Sequence, residues 1–159
     1  MEKSVSIAER LSRLGLALPH PAPAVAAYAP FVTADNMLHI SGQISFRADG
    51  SLITGRLGET IDVPGGAEAA RRCGLMLLAQ MGAALGGNFD RVRQIIKLGC
   101  YVNSAPEFTD QPKVANGASE LMVAVFGEAG KHARSAVGVP VLPLGAAVEV
   151  DAIVAVRPV

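Results

Sequence analysis

Arg134 and Glu149 are the two residues of this chain whose types and spacing could do chemistry together. In residues 146–156 the positions Ala146, Val148, Val150, Ala152, Val154 and Val156 are apolar, so a strand here buries one face and presents Glu149 and Asp151 on the other. In residues 134–139 the same alternation sets Ser135, Val137 and Val139 on the core side and leaves Arg134 and Ala136 opposite. If the two strands pair through a connection centred near Leu142, position 149 faces 134 or 136, and guanidinium and carboxylate share one face of a hairpin. One outcome is a cross-strand or intersubunit salt bridge. The other is a ligand site: a planar guanidinium takes both oxygens of a small carboxylate, and an acid beside it, held ionised, positions or deprotonates water. Those two functions together would add water to a small anionic electrophile. The spacing leaves both outcomes open.

Other chemistry has little to work with. His20, His39 and His132 are scattered, and no His/Cys/Asp/Glu set has ligand spacing, so no metal is expected. The chain lacks G-x-G-x-x-G, a Walker loop, G-x-S-x-G and a zinc-protease helix, which removes nucleotide cofactors and the common hydrolases. Thr54-Gly55-Arg56-Leu57-Gly58 reads as a hairpin loop, with an anion nest lined by Arg56 as the alternative. Fourteen basic residues cancel fourteen acidic ones, so no overall field draws nucleic acid.

Cys73 and Cys100 lie in apolar surroundings without C-x-x-C spacing and read as reduced core thiols of a cytoplasmic protein. The N-terminal MEKSVSIAERLSRLG carries acids and bases where a signal peptide needs an apolar run. The apolar stretch 74–87 includes Gln80 and is shorter than the roughly 20 residues of a bilayer span. A cytoplasmic chain with no membrane partner is expected.

The elements that must hold these residues follow from length and patterning. A chain of 159 residues and 16.4 kDa suits one domain, and 50% hydrophobic residues with mean hydropathy +0.36 exclude disorder. Only 18% of residues are charged, against roughly 25% in ordinary domains. So little charge covers a small surface poorly, and a homo-oligomer is expected. A short amphipathic helix over 4–14 and a Pro-rich linker over 18–23 lead in. Strands are expected at 25–33 and 37–44 around an Asp35-Asn36 turn, a further turn at 48–50, and a helix at 65–85 that Pro64 opens and Gly86-Gly87 closes. A strand at 94–102, a helix at 113–126, and strands at 134–139 and 146–156 complete a β-β-α-β-α-β-β order. That is an α+β arrangement: two helices on one face of a mixed sheet whose other face needs a partner.

Ala133-Arg134-Ser135-Ala136-Val137, followed by Leu142-Pro143 and Val148-Glu149-Val150-Asp151-Ala152-Ile153, resembles the C-terminal signature of the RidA/YjgF family of enamine/imine deaminases, also called endoribonuclease L-PSP-like. Asn36-Met37-Leu38-His39-Ile40-Ser41-Gly42-Gln43-Ile44 is similar to that family's N-M-x-x-x-S-G-Q-I strand, and Tyr28 lies thirteen residues before Ser41, as the family's active-site tyrosine does. The resemblance covers residues 25–157.

The resemblance implies a chorismate-mutase-like homotrimer with clefts between subunits. There a small 2-iminoacid would be hydrolysed to the 2-oxoacid and ammonia without metal or organic cofactor. By position, Arg134 would grip the substrate carboxylate and Glu149 would orient water. Tyr28 and Ser41 would line the cleft, the Ala136 backbone would bond the imine or carboxylate, and Asn116 would also bind substrate. Ala26-Ala27 replaces the usual Gly-Pro, Ala136 the frequent cysteine, and the N-terminal helix, the Arg56 loop and the 127–132 extension are additions, as in a divergent branch. Two other readings remain: a trimer that binds carboxylic metabolites, or acts as a holdase, without catalysis, and a ribonuclease. Zero net charge and 4% aromatic residues argue against the last.

Overall fold

A computed structural model describes residues 6–23 and 27–158. Its elements follow the expected order: helix α1 (Ile7–Arg13), strands β1 (Phe31–Ala34) and β2 (Met37–Ile44), helix α2 (Val63–Leu85), strand β3 (Val92–Asn103), helix α3 (Gln111–Phe126), and strands β4 (Ala133–Val139) and β5 (Val148–Val156). Local chemistry sets the ends. Ser6 and Glu9 form a capping box on α1, while residues 4 and 5 of the expected helix lie outside the described residues. The Asp62 side chain accepts from the Gly65 N–H to open α2, and Gly86 closes it in the left-handed conformation at φ 60°.

The first strand is shorter than expected. Residues 25 and 26 lie outside the described residues, the chain bends near Tyr28, and pairing with β2 starts at Phe31. Pro30 has no N–H to give a ladder, and its carbonyl accepts from the Ser41 N–H at 3.0 Å. Tyr28 is therefore a loop residue.

The five strands form one sheet in the order β1-β2-β5-β3-β4. All neighbours are antiparallel except β3 and β4, which are parallel. This overturns the expected hairpin of the last two strands. Helix α3 carries the chain back to the end where β3 began, so β4 runs parallel to β3, and β5 enters between β2 and β3. Side-chain composition explains the choice. The Val- and Ala-rich β5 tolerates burial between two neighbours, whereas β4, with Arg134, Ser135 and Gly138, keeps alternating exposure and takes the edge.

Helices α2 and α3 cover one face of the sheet. Between the layers Leu38, Ile95, Leu98 and Val150 of the sheet meet Leu77, Leu78, Met81 and Met122 of the helices, all buried. Each such side chain contributes about 1.5–3 kcal/mol. Cys73 and Cys100 are buried here too; burial pushes both thiols up, Cys100 to about 12. Buried Gln80 donates from Nε2 to the Ala22 carbonyl at 2.9 Å and ties the Pro-rich linker to α2. No described element covers the opposite sheet face, where Tyr101 and Val137 are 37% and 46% exposed. No described helix is long and apolar enough to cross a membrane.

Candidate active site

The acid sits on the open face. Even positions of β5 are buried against the helices, so Glu149 and Asp151 point the other way, as the alternation predicts. Both lie over glycines of the flanking strands. A Cβ on Gly42 of β2 would run into the Glu149 carboxylate, and one on Gly99 of β3 would meet Asp151 Oδ1. Asp151 takes hydrogen bonds from the Gly99 N–H at 3.2 Å and the Tyr101 hydroxyl at 3.3 Å. Half-burial, and secondly the charge of Asp151, raise the Glu149 carboxyl above its usual range. Asp151 also raises the Tyr101 hydroxyl, with burial as the second cause.

Glu149 opens into a cleft of about 360 Å³ shared with Tyr28, Pro30, Gly42, Phe46 and Leu144. Ser41 directly precedes Gly42 and Gln43 of the cleft wall, and its Oγ donates to the Ala29 carbonyl at 2.7 Å and so pins the loop that carries Tyr28. Leu144, at φ 58° between Pro143 and Gly145, holds a left-handed conformation rare for its type at the cleft's rim.

The guanidinium belongs to another place. Arg134 on β4 pairs with Leu98 of β3, a core-facing position, so Arg134 and Ala136 point toward the helix layer while Ser135 and Val137 point to the open face. The expected facing of β4 is thus reversed, because its parity is set by β3 rather than by β5. Arg134 Nη1 donates to Asn116 Oδ1 at 2.8 Å and to Ser119 Oγ at 3.0 Å. Ser119 Oγ in turn lies 2.9 Å from His132 Nε2, and His132 Nδ1 lies 2.6 Å from the Gly130 carbonyl. A carbonyl only accepts, so Nδ1 carries the proton, Nε2 accepts from the Ser119 hydroxyl, and the hydroxyl oxygen accepts from Arg134. Both Nη1 protons are used. The Nε and Nη2 edge, the one that forks a carboxylate, has no hydrogen-bond partner among the described residues.

Arg134 and Glu149 therefore do not meet within one chain. Glu149 pairs with Tyr101, two strand spacings and three residues from the Arg134 row, which puts the two Cα atoms roughly 14 Å apart. Their side chains leave opposite faces of the sheet. The structure brings the expected residues together in two groups: Tyr28, Ser41 and Glu149 in one, Asn116, Arg134 and Ala136 in the other. Arg56 is spent on structure, donating to the Pro140 carbonyl at 2.5 Å and to Asn103 Oδ1 at 3.4 Å. Sequence reasoning did not pick out Ser119, His132 as a partner of it, or Gly42 and Gly99 as seats for the acids. The i, i+3 spacing of Asn116 and Ser119 on an expected helix was the available signal for the first.

A mixed five-stranded sheet under two helices, with β4 joined to β3 by a crossover helix, defines the chorismate-mutase-like α+β class. The chain belongs to the family described as "YjgF/chorismate_mutase-like, putative endoribonuclease", whose model matches residues 8–155. It is 50% identical over 149 residues to Protein TCP17 of Trypanosoma cruzi, covering 93% of this chain and 92% of that one. Among solved structures it is similar to the protein Atu1372 of Agrobacterium tumefaciens, with 44% identity, TM-score 0.88 and coverage of 95% of this chain and 92% of that one. RidA from an Antarctic Psychrobacter is similar at 27% identity and TM-score 0.57, covering 86% of this chain and 94% of that one.

Proposed function

We propose that the protein is a cofactor-free deaminase that hydrolyses small reactive 2-imino or enamine acids to 2-oxoacids and ammonia, at clefts between the copies of a homotrimer. The division of the machinery carries this reading. Arg134, with Asn116 and the Ala136 backbone, offers a carboxylate receptor at the sheet edge, while Glu149, from the uncovered face, and Tyr28 offer an acid in a small cleft that also reaches Met76 of α2. A substrate of a few carbons spans both only if one protomer's edge docks beside another's open face. Exposed Tyr101 and Val137 and the low charge content support such packing. The two buried thiols fit a cytoplasmic setting.

The chemistry asks for little. The free Nε and Nη2 edge of Arg134 holds the carboxylate, which fixes C2 of the imine near Glu149 of the neighbouring copy. Glu149 takes a proton from water as the oxygen adds to C2 and gives it to the nitrogen. The hydroxyl proton of the resulting carbinolamine then moves to nitrogen by the same carboxylate, the C–N bond breaks, and the carbonyl forms with release of ammonia. A carboxyl raised above its usual range suits this shuttle better than an ordinary one, because both its forms are accessible nearer neutral pH. Tyr28, at the cleft and 53% exposed, offers a hydroxyl to the substrate.

The test is to generate 2-iminobutyrate or 2-iminopropionate in situ and follow its decay with and without the protein. Accelerated decay that is lost in Arg134→Ala supports the reading. A wild type that binds 2-oxobutyrate without speeding decay would make it a binder, and Arg134-dependent cleavage of RNA would make it the ribonuclease of the family's description.

A further inference from the structure

A larger groove lies away from the Glu149 carboxylate, between residues 14–22 and α2. Its volume is about 740 Å³, within the range of small-molecule sites. His20, Arg47, Arg71 and Arg72 line it, and no Asp or Glu among the described residues does, in a chain whose total charge is zero. None of the three arginines is in an ion pair among the described residues. Arg72 Nε is fixed on the Phe46 carbonyl at 3.0 Å and Arg47 Nη1 on the Leu52 carbonyl at 3.1 Å, which orients both guanidinium groups and leaves further N–H donors open. Arg71 makes no side-chain hydrogen bond among the described residues, although it is half-buried. The rest of the lining is apolar, with Leu14, Leu16 and Met76 along its length. The wall is held in place: Gln80 grips the Ala22 carbonyl, and the Leu16 N–H donates to the Leu11 carbonyl at 3.0 Å.

We propose that this groove binds a small amphipathic anion, a carboxylate or phosphate head on a linear aliphatic tail. Three guanidinium groups lining one groove, with Asp49 beside Arg47 but outside the described lining, recognise a head with two or more oxygens, and the leucine- and methionine-lined length takes the tail. A bare inorganic anion would leave that apolar length unused. The groove shares Ala22, Phe46 and Met76 with the Glu149 cleft but none of Arg134, Asn116 or Glu149, so its occupant does not depend on the deaminase reading.

Calorimetric titration of the full chain with decanoate, decyl phosphate, acetate and inorganic phosphate tests this. Decanoate, decyl phosphate or both bind, at least tenfold more tightly than the tailless anions, and the stronger of the two identifies the head. Binding persists in Arg134→Ala, falls roughly tenfold in Arg71→Ala and further in Arg71→Glu. Leu14→Gln weakens the tailed ligands only. Arg71 has no side-chain hydrogen bond to lose among the described residues, and Leu14 is 45% exposed, so both variants keep the fold, which their melting temperatures check. No binding by either tailed ligand, equal binding of acetate and decanoate, or indifference to Arg71→Glu would overturn the proposal.

Discussion

Removing the Ser119 hydroxyl tests whether the relay behind Arg134 positions the arginine. Ser119→Ala deletes the 3.0 Å acceptor of Arg134 Nη1 and leaves the 2.8 Å bond to Asn116 as the anchor. It also strands His132 Nε2, which loses its donor. A hydrogen bond to a charged group contributes about 1.5–3 kcal/mol net. Arg134 is only half-buried, so water replaces part of it, and about 1 kcal/mol is the fitting figure. That corresponds to roughly a fivefold loss of substrate affinity. In saturation kinetics with an in situ iminoacid source, KM rises by about that factor while kcat changes less than twofold, because Glu149 stands on another strand and another face. Ser119→Thr keeps the hydroxyl and restores KM. Unchanged KM in Ser119→Ala, or a fall in kcat alone, would refute a positioning role for the relay.

Glu149→Gln should cut kcat by about 10²-fold or more, the worth of a positioned acid–base group, with KM little changed. The same variant should melt at higher temperature at pH 7. The folded-state carboxyl is raised above its ordinary 4.5, so the folded state holds its proton longer than the unfolded chain, and stability falls as pH rises from about 4.5 through the raised value. The gain in melting temperature should vanish below pH 4; a gain that persists there would be at odds with the shift. Gly42→Ala, whose methyl would collide with the Glu149 carboxylate, should lose rate at least tenfold while the circular dichroism spectrum stays native, and full activity would contradict the described seat of the acid. Cys73 and Cys100, buried with raised thiols, should react with a disulfide reagent only on unfolding; rapid labelling of the native protein would count against the packing.

Much of the fold was legible because its signals are local. Pro64 and Gly86 bound α2 close to where their chemistry says, and the alternation of β5 correctly sends Glu149 and Asp151 away from the core. Strand order was not legible from parity. The short connection 140–145 invites a hairpin, yet the 16 residues of α3 make β4 the parallel partner of β3, and the exposed Arg134-Ser135 pattern suits an edge. Inverting the pairing inverted the facing of Arg134, so the one-face arrangement with Glu149 failed although each residue lies on its expected strand. The structure places the Asn116 amide oxygen on Arg134 and the Ser41 hydroxyl on the loop that carries Tyr28, contacts that spacing along the chain does not specify. Gly42 and Gly99 carry no signal in the sequence beyond being strand glycines, since what they make room for comes from neighbouring strands.

Mixing two inactive variants measures most directly whether arginine and acid come from different copies. Arg134→Ala and Glu149→Gln chains, each unable to turn over iminoacid alone, are unfolded together in equal amounts and refolded. A cleft works when its arginine donor is a Glu149→Gln chain and its acid donor an Arg134→Ala chain, one half times one half, so activity should return to about a quarter of wild type. Activity no greater than that of the separate variants, from material that has refolded into mixed oligomers, would contradict the shared cleft.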